Sequence, residues 1–341
     1  MNLYSLVRPL IFQLSPEKAH QLALSFSGVG GSRYKNKMLP QTVFGLEFAN
    51  PVGLSAGFDK NAQAVNGLSK MGFGFLELGT VTPLAQPGNP QPRLFRLIED
   101  EAVINRLGFN NGGLEVFCKN LEVAKRTLPL GANIGKNKDQ TDAVADYVQG
   151  LEAVSPLADY VTVNISSPNT QGLRDLQEKD SLRELLAALM EKRTKPILLK
   201  VAPDLDEKQI EHIAETVLEQ RIDGLIVSNT TLDRSESLQN IHKTESGGLS
   251  GKPILDKSNR VLKLFAKQIN GKIPLIGVGG IASGVDAYAK IRAGASLVQL
   301  YTALVYQGPS LVARINRELV ELLAQDGYRH ISEAIGADLN D

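Results

Sequence analysis

The chain has 341 residues, with 37 Lys+Arg against 37 Asp+Glu and a formal net charge of zero, which excludes wholesale electrostatic binding of nucleic acid. A content of 43% hydrophobic and 22% charged residues excludes disorder. Cys118 is the single cysteine, so neither an intramolecular disulfide nor a cysteine-based metal cluster can form, as suits a reducing compartment.

The chain opens MNLYSLVRPLIFQLSPEKAHQLALSF. Its apolar runs are broken by Arg8, Pro9 and Glu17-Lys18, whereas a spanning helix needs roughly 20 apolar residues. The order of charged and apolar residues is not that of a signal peptide. Leu3, Leu6, Val7, Leu10, Ile11 and Leu14 share a helical face, and Pro9 is expected to end or bend the first turns. Ser15-Pro16 marks a second start, with Ser as N-cap and Pro at the first helical position. Ala19, Leu22, Ala23 and Phe26 form the next apolar stripe. Residues 1–37 carry Arg8, Lys18, Arg33, Lys35 and Lys37 against Glu17 alone, a net +4. Such a basic, apolar-faced pair suits a membrane interface. It equally suits packing on the protein itself.

From about residue 45, short β-rich runs alternate with helical stretches. The candidate strands are Val52–Ala56, Phe73–Leu78, Leu130–Ile134, Tyr160–Ile165, Ile197–Val201, Gly224–Ser228, Pro274–Val278 and Leu297–Tyr301. Helices are expected over Leu182–Lys192, Asp206–Gln220, Asn259–Ile269 and Gly284–Ala293. Near-continuous Val/Ile/Leu runs are typical of parallel strands covered on both faces. Eight β/α repeats predict an α/β fold, a (β/α)8 TIM barrel over 41–341 preceded by a two-helix extension over 1–40. A doubly wound sheet is the other arrangement compatible with this pattern. Between the second and third strands, Leu94–Ile98 and Ala102–Ile104 flank an Asp-Glu turn and predict a hairpin over the barrel mouth.

In a barrel, chemistry gathers where the strands end. Those ends read SAGFDK, LGTVTP, NIGKN, NISSPNT, LKVAPD, VSNTT, GVGGI and LYTAL. Turns also favour Asn, Ser and Gly, but eight polar clusters at corresponding places point to a site. Gly277-Val278-Gly279-Gly280 suits phosphate, because glycines let backbone N–H groups approach an anion and a helix follows. Tyr301-Thr302 adds donors after the eighth strand. A Rossmann dinucleotide site lacks the acidic residue that would hold the ribose. His20, His212, His242 and His330 all lie away from strand ends, so metal catalysis and a Ser-His-Asp triad are unsupported. Lys60 and Lys200 sit at or beyond strand ends. Each suits a Schiff-base nucleophile, a fixed charge beside an anionic ligand or reduced cofactor, or a solvated surface position. Lys200 as nucleophile would make the chain a Schiff-base lyase or aldolase.

SAGFDKN, FLELGTVTP, PQPRLFRL, INRLGFNN, NIGKNK, NISSPNT, LKVAPDL, SNTT, GGLSG, GVGGI and GASLVQLYT occur in this order between about residues 45 and 310. Together they resemble the motifs of dihydroorotate dehydrogenase. The N-terminal helical pair and the serine of NISSPN are similar to the membrane-associated, quinone-using class 2 branch. The resemblance implies a bound FMN, oxidation of (S)-dihydroorotate to orotate for pyrimidine synthesis, and a quinone acceptor. It places Ser167 as the catalytic base. It implies that Ala56, Gly57, Lys60, Thr80, Asn133, Asn164, Lys200 and Ser228 contact the flavin, and that Gly251, Gly280, Tyr301 and Thr302 hold its phosphate. Orotate would be gripped by Lys60, Asn105, Arg106, Leu107, Gly108, Phe109, Asn164, Asn169, Asn229 and Thr230. A serine is a weak base, so a relay through water and a hydroxyl such as Thr170 is expected. The resemblance further implies a monomer held peripherally at the cytoplasmic face of the cell membrane, with quinone arriving between the two helices.

Overall fold

The computed structural model describes residues 3–170 and 172–339. Two short strands come first, β1 (Gln41–Val43) and β2 (Leu46–Phe48), paired antiparallel. Their two-residue turn holds Phe44 and Gly45 at φ 38° and 78°, the backbone hand that tight hairpins favour. Then follow β3 (Val52–Leu54), β4 (Phe75–Val81), β5 (Leu94–Leu97), β6 (Ala102–Asn105), β7 (Leu130–Ile134) and β8 (Tyr160–Asn164). The last are β9 (Ile197–Val201), β10 (Gly224–Val227), β11 (Gly248–Gly251), β12 (Leu275–Val278) and β13 (Ala295–Leu300).

Strands β3, β4, β7, β8, β9, β10, β12 and β13 close into one barrel, each parallel to its neighbours. The closing pair, β13 on β3, aligns Val298 with Val52. A doubly wound sheet would leave two open edges, so that alternative is set aside. Helices cover the outside, among them Ala143–Val154, Lys179–Glu191, Glu207–Glu219, Leu255–Ile269 and Gly284–Arg292. Helix Glu207–Glu219 starts on a reciprocal cap between Asp206 and Gln209 and buries Ile210, Ile213, Ala214 and Val217 against the strands.

The barrel's lower end is filled by Phe48, Phe75 and Tyr160, with Phe44 beside them. Gly53 and Gly131 make room for these rings. A Cβ on Gly53 would fall 2.3 Å from Phe75 Cζ, and one on Gly131 2.1 Å from Tyr160 Cζ. Higher in the barrel the filling turns polar.

The expected hairpin forms from β5 and β6, and β11 joins it as a third antiparallel strand, pairing Gly248 with Asn105. The GGLSG segment has little strand propensity of its own; pairing to β6 recruits it. The N-terminal helices are α1 (Leu3–Ile11) and α2 (Pro16–Ser25). Contrary to the expectation of a break, α1 runs through Pro9. It is pinned before that residue by Tyr4 OH donating to Val305 O at 2.6 Å and Arg8 donating to Tyr306 O at 3.0 Å, and beyond it by the Phe12 ring, which packs edge-on against Tyr306 at 5.6 Å. Ser15 is the N-cap residue of α2, yet its side chain makes no capping bond. Glu17 instead anchors the helix, through a bidentate pair with Arg93 at 2.9 and 3.1 Å.

Candidate active site

A cavity of about 510 Å³ opens at the C-terminal ends of the barrel strands and continues between α1 and α2. Of the residues singled out in the sequence, Ala56, Gly57, Lys60, Thr80, Asn105, Leu107, Gly108, Phe109, Asn164, Ser167 and Asn169 line it. So do Lys200, Ser228, Asn229, Thr230, Gly251, Gly280, Tyr301 and Thr302. Two do not. Asn133 lies beneath the wall, fully buried. Arg106 turns its side chain outward, donating to Glu245 at 2.7 Å and lying over the Phe95 ring.

The cavity floor is a buried polar layer. Lys200 Nζ lies 3.6 Å from Glu77 Oε1 and donates to Ser55 Oγ at 3.2 Å. Glu77, fully buried within β4, accepts from Asn133 Nδ2 at 2.8 Å, Thr162 Oγ1 at 3.1 Å and Gln299 Nε2 at 2.8 Å. The pair is therefore neutralised and its carboxylate satisfied, the conditions under which a buried ion pair is tolerated. Asn133 Oδ1 in turn accepts from Thr80 Oγ1 at 2.6 Å and Asn164 Nδ2 at 3.2 Å. Asn164 Nδ2 also donates to Thr80 Oγ1 at 3.0 Å, so the network fixes the orientation of both side chains at the cavity wall.

Above this floor four asparagines meet. Asn169 Nδ2 donates to Asn105 Oδ1 at 3.2 Å, and Asn229 Nδ2 donates to Asn164 Oδ1 at 3.4 Å and to Ser166 Oγ at 2.9 Å. Such a ring of amides matches a flat ligand carrying both N–H groups and carbonyls. Ser167 is buried among them, its Oγ accepting from the Asn169 backbone N–H at 3.3 Å. Thr170 is buried on the same loop. Lys60 closes the pocket and donates to Gly57 O at 2.7 Å. Desolvation, with Arg93 close by, lowers its ammonium to about 8, while Glu17 and Asp59 pull the other way.

Sequence reasoning missed several of these groups. Glu77 and Gln299 sit inside strands that read as core, although a glutamate within the apolar run FLELGTV is itself a signal. His20 on α2 packs edge-on against Phe58 at 5.0 Å and near Tyr301. Burial holds its imidazole down at about 4, so it is neutral and behaves as a ring. Among the described residues, no group of three His, Cys, Asp or Glu is placed to hold a metal.

The profile of the family described as "Dihydroorotate dehydrogenase" matches residues 38–323. The chain belongs to the dihydroorotate dehydrogenase family. It is 52% identical to the dihydroorotate dehydrogenase (quinone) of Parvibaculum lavamentivorans, covering 100% of both chains. It is 50% identical to the mitochondrial dihydroorotate dehydrogenase (quinone) of Mus musculus, over 95% of this chain and 87% of that one. Among solved structures, that of the Eimeria tenella dihydroorotate dehydrogenase in complex with ferulenol superposes with a TM-score of 0.92 at 41% identity. The match covers 97% of this chain and 99% of that one. The family profile starts after α1 and α2, yet the full-length match to the quinone-type relative includes them.

Proposed function

We infer that the chain oxidises (S)-dihydroorotate to orotate and passes the electrons to a quinone, a step of pyrimidine synthesis, with FMN as its resident cofactor. One observation carries this reading: a single cavity joins the amide-lined barrel mouth to an apolar cleft between α1 and α2. A polar substrate and a hydrophobic acceptor thus have separate routes to one centre.

The residues present fit FMN. Gln299 lines the cavity, and its Oε1 is buried with no partner among the described residues, an acceptor left for a ligand N–H. Gly251 and Gly280, at φ 101° and 78°, pack so closely that a Cβ would meet Glu101 O at 2.4 Å and Leu255 Cα at 2.6 Å. Such bare backbone leaves N–H groups free to cradle a phosphate. Bound FMN supplies a two-electron acceptor between substrate and quinone.

The chain's own groups do the rest. Asn105, Asn164, Asn169, Asn229 and Thr230 grip the pyrimidine ring, and Lys60 meets its carboxylate. Ser167 Oγ takes the C5 proton, with Thr170 on the same loop to pass it on. Lys200, held by Glu77, puts a fixed positive charge at the cavity floor where the reduced cofactor needs it. A Schiff-base nucleophile needs a free amine, whereas Lys200 is engaged by Glu77 and Ser55.

Leu6 and Leu10 on α1, and Leu14 between the two helices, are exposed. Among the described residues no helix is long and apolar enough to cross a membrane. The exposed apolar side chains support a peripheral rest on lipid, which we assign to the cytoplasmic face, with a single chain sufficing for the site. An anaerobic visible spectrum tests the whole reading. A flavin band that bleaches with dihydroorotate and recovers with a soluble quinone is expected; a colourless protein that takes up no FMN refutes it. Removing residues 1–37 should cripple quinone reduction and spare flavin reduction, and equal loss of both would refute the division of labour.

A further inference from the structure

Lys290 belongs to no part of the mechanism above. It lies on the inner side of helix Gly284–Arg292, fully buried against β12. Its stem occupies the space left by Gly277, where a Cβ would fall 3.1 Å from Lys290 Cδ. Its ammonium donates to Ser258 Oγ at 2.6 Å and Asn259 Oδ1 at 2.8 Å. Among the described residues no carboxylate lies within ion-pair distance of it. A buried cation satisfied only by neutral groups is costly, and such positions persist where a charge of opposite sign compensates.

The surroundings show where that charge belongs. Ser258 Oγ is also within hydrogen-bond reach of Gly279 O, at 3.0 Å, and of Leu255 O, at 2.8 Å. A Cβ on Gly279 would lie 2.9 Å from Ser258 Cβ. Lys290 and Ser258 therefore back the Gly279–Gly280 turn from the side away from the cavity, and both glycines line the cavity itself. Asp286 acts on the ammonium from beyond ion-pair distance, and a ligand on the other side of that turn would bring a second negative charge to this region. Burial lowers the ammonium to about 7, with Asp286 drawing it partly back; a neighbouring phosphate would draw it back further.

We propose that Lys290 is the buried counter-charge of the flavin phosphate, acting from behind the Gly279–Gly280 turn through Ser258, and that it thereby selects phosphorylated over unphosphorylated flavin. Lys290 is a positioning residue here, and the proposal rests on the FMN reading above. A role confined to packing would support every flavin equally. A role as counter-charge distinguishes FMN from riboflavin, which share the ring system and differ at the phosphate.

The test equilibrates holoenzyme with a mixture of FMN and riboflavin and measures the ratio of the two flavins retained after desalting. Lys290→Met, which keeps the stem and removes the charge, should lower the FMN-over-riboflavin preference about tenfold. An unchanged preference, or equal loss of both flavins, overturns the proposal. Should that variant not fold, Ser258→Ala decides the matter. Loss of the link should then lower the same preference about threefold, and an unchanged preference overturns the proposal. Wild-type protein that retains neither flavin defeats the cofactor reading instead, so the two failures are distinguishable.

Discussion

Ser167 and Lys60 are the residues whose chemistry is most exposed to test. Ser167 sits within the amide ring and makes no bond that holds the cavity together beyond its contact with the Asn169 N–H. Ser167→Ala should therefore slow flavin reduction by dihydroorotate about 100-fold or more while FMN stays bound, read by anaerobic stopped flow. Near-normal reduction would mean that another group takes the proton. Lys60 titrates within a working range because burial brings its ammonium down to about 8. Below that pH the charge is present and costs the fold; the cost fades as pH rises from about 8 towards the ordinary lysine value. Substrate binding follows the opposite course. Affinity for orotate should hold up to pH 8 and then fall about tenfold per unit as the ammonium is lost. Lys60→Met should remove that limb and weaken binding at every pH. A profile that is flat above pH 8 in the wild type would show that Lys60 does not meet the carboxylate. Glu77 is tested through stability. Replacing it with Leu strands Lys200 as an unpaired buried cation and should cost about 3–5 kcal/mol, measured as a shift in the urea midpoint.

Among the elements, α1 shows how one amphipathic stripe serves two surfaces. Val7 and Ile11 line the cavity, while Leu6 and Leu10, one residue earlier on the same turns, are 54% and 65% exposed. The sequence showed the apolar positions but not this split, because both sets fall within one broad stripe; only the anchoring of Tyr4 and Arg8 on residues 305–306 sets the helix's rotation. That anchoring, together with Phe12 packed on Tyr306 beyond Pro9 and its N–H bonded to Arg8 O at 2.9 Å, accounts for the helix continuing past the proline. Leu6→Glu with Leu10→Glu should weaken binding to anionic lipid vesicles at least tenfold, since each large apolar side chain withdrawn from lipid is worth roughly 1.5–3 kcal/mol. Flavin reduction by dihydroorotate should be unchanged, and turnover with a short-chain soluble quinone should persist. Vesicle binding equal to that of the wild type would mean that this face does not rest on lipid. The strands tell a complementary story. The barrel strands were legible as apolar runs because both faces are buried, whereas β11 was not, since its glycines become strand only by pairing with β6. Glu77 was hidden for a related reason: within a run of seven buried residues, one charge reads as an exception until its partner on β9 is seen across the barrel.

The whole molecule divides its tasks between the two ends of the barrel. The C-terminal ends of the strands carry the cavity, and their polar clusters made that end readable from the sequence. The closing devices of the opposite end, the β1–β2 hairpin and the tail after residue 328, leave no motif because they act through packing and backbone bonds. The tail is firmly seated. Ile331 is fully buried and its N–H donates to Met38 O at 2.8 Å. His330 bonds Pro40 O at 2.6 Å, and Arg292 pairs with Asp338 at 2.5 Å. These contacts tie the last residues to the segment that leads into β1, so they brace the lower end and the entry to the barrel together. Conserving the mouth while cutting this brace separates stability from catalysis, as expected when the two lie at opposite faces. Ile331→Ala should cost about 2–4 kcal/mol through the cavity it leaves, seen as a fall of several degrees in the thermal midpoint. The rate of flavin reduction by dihydroorotate should stay at the wild-type value at temperatures where the variant is folded. A slowed reduction at such a temperature would mean that the lower end is coupled to the site and that the division of tasks is not real.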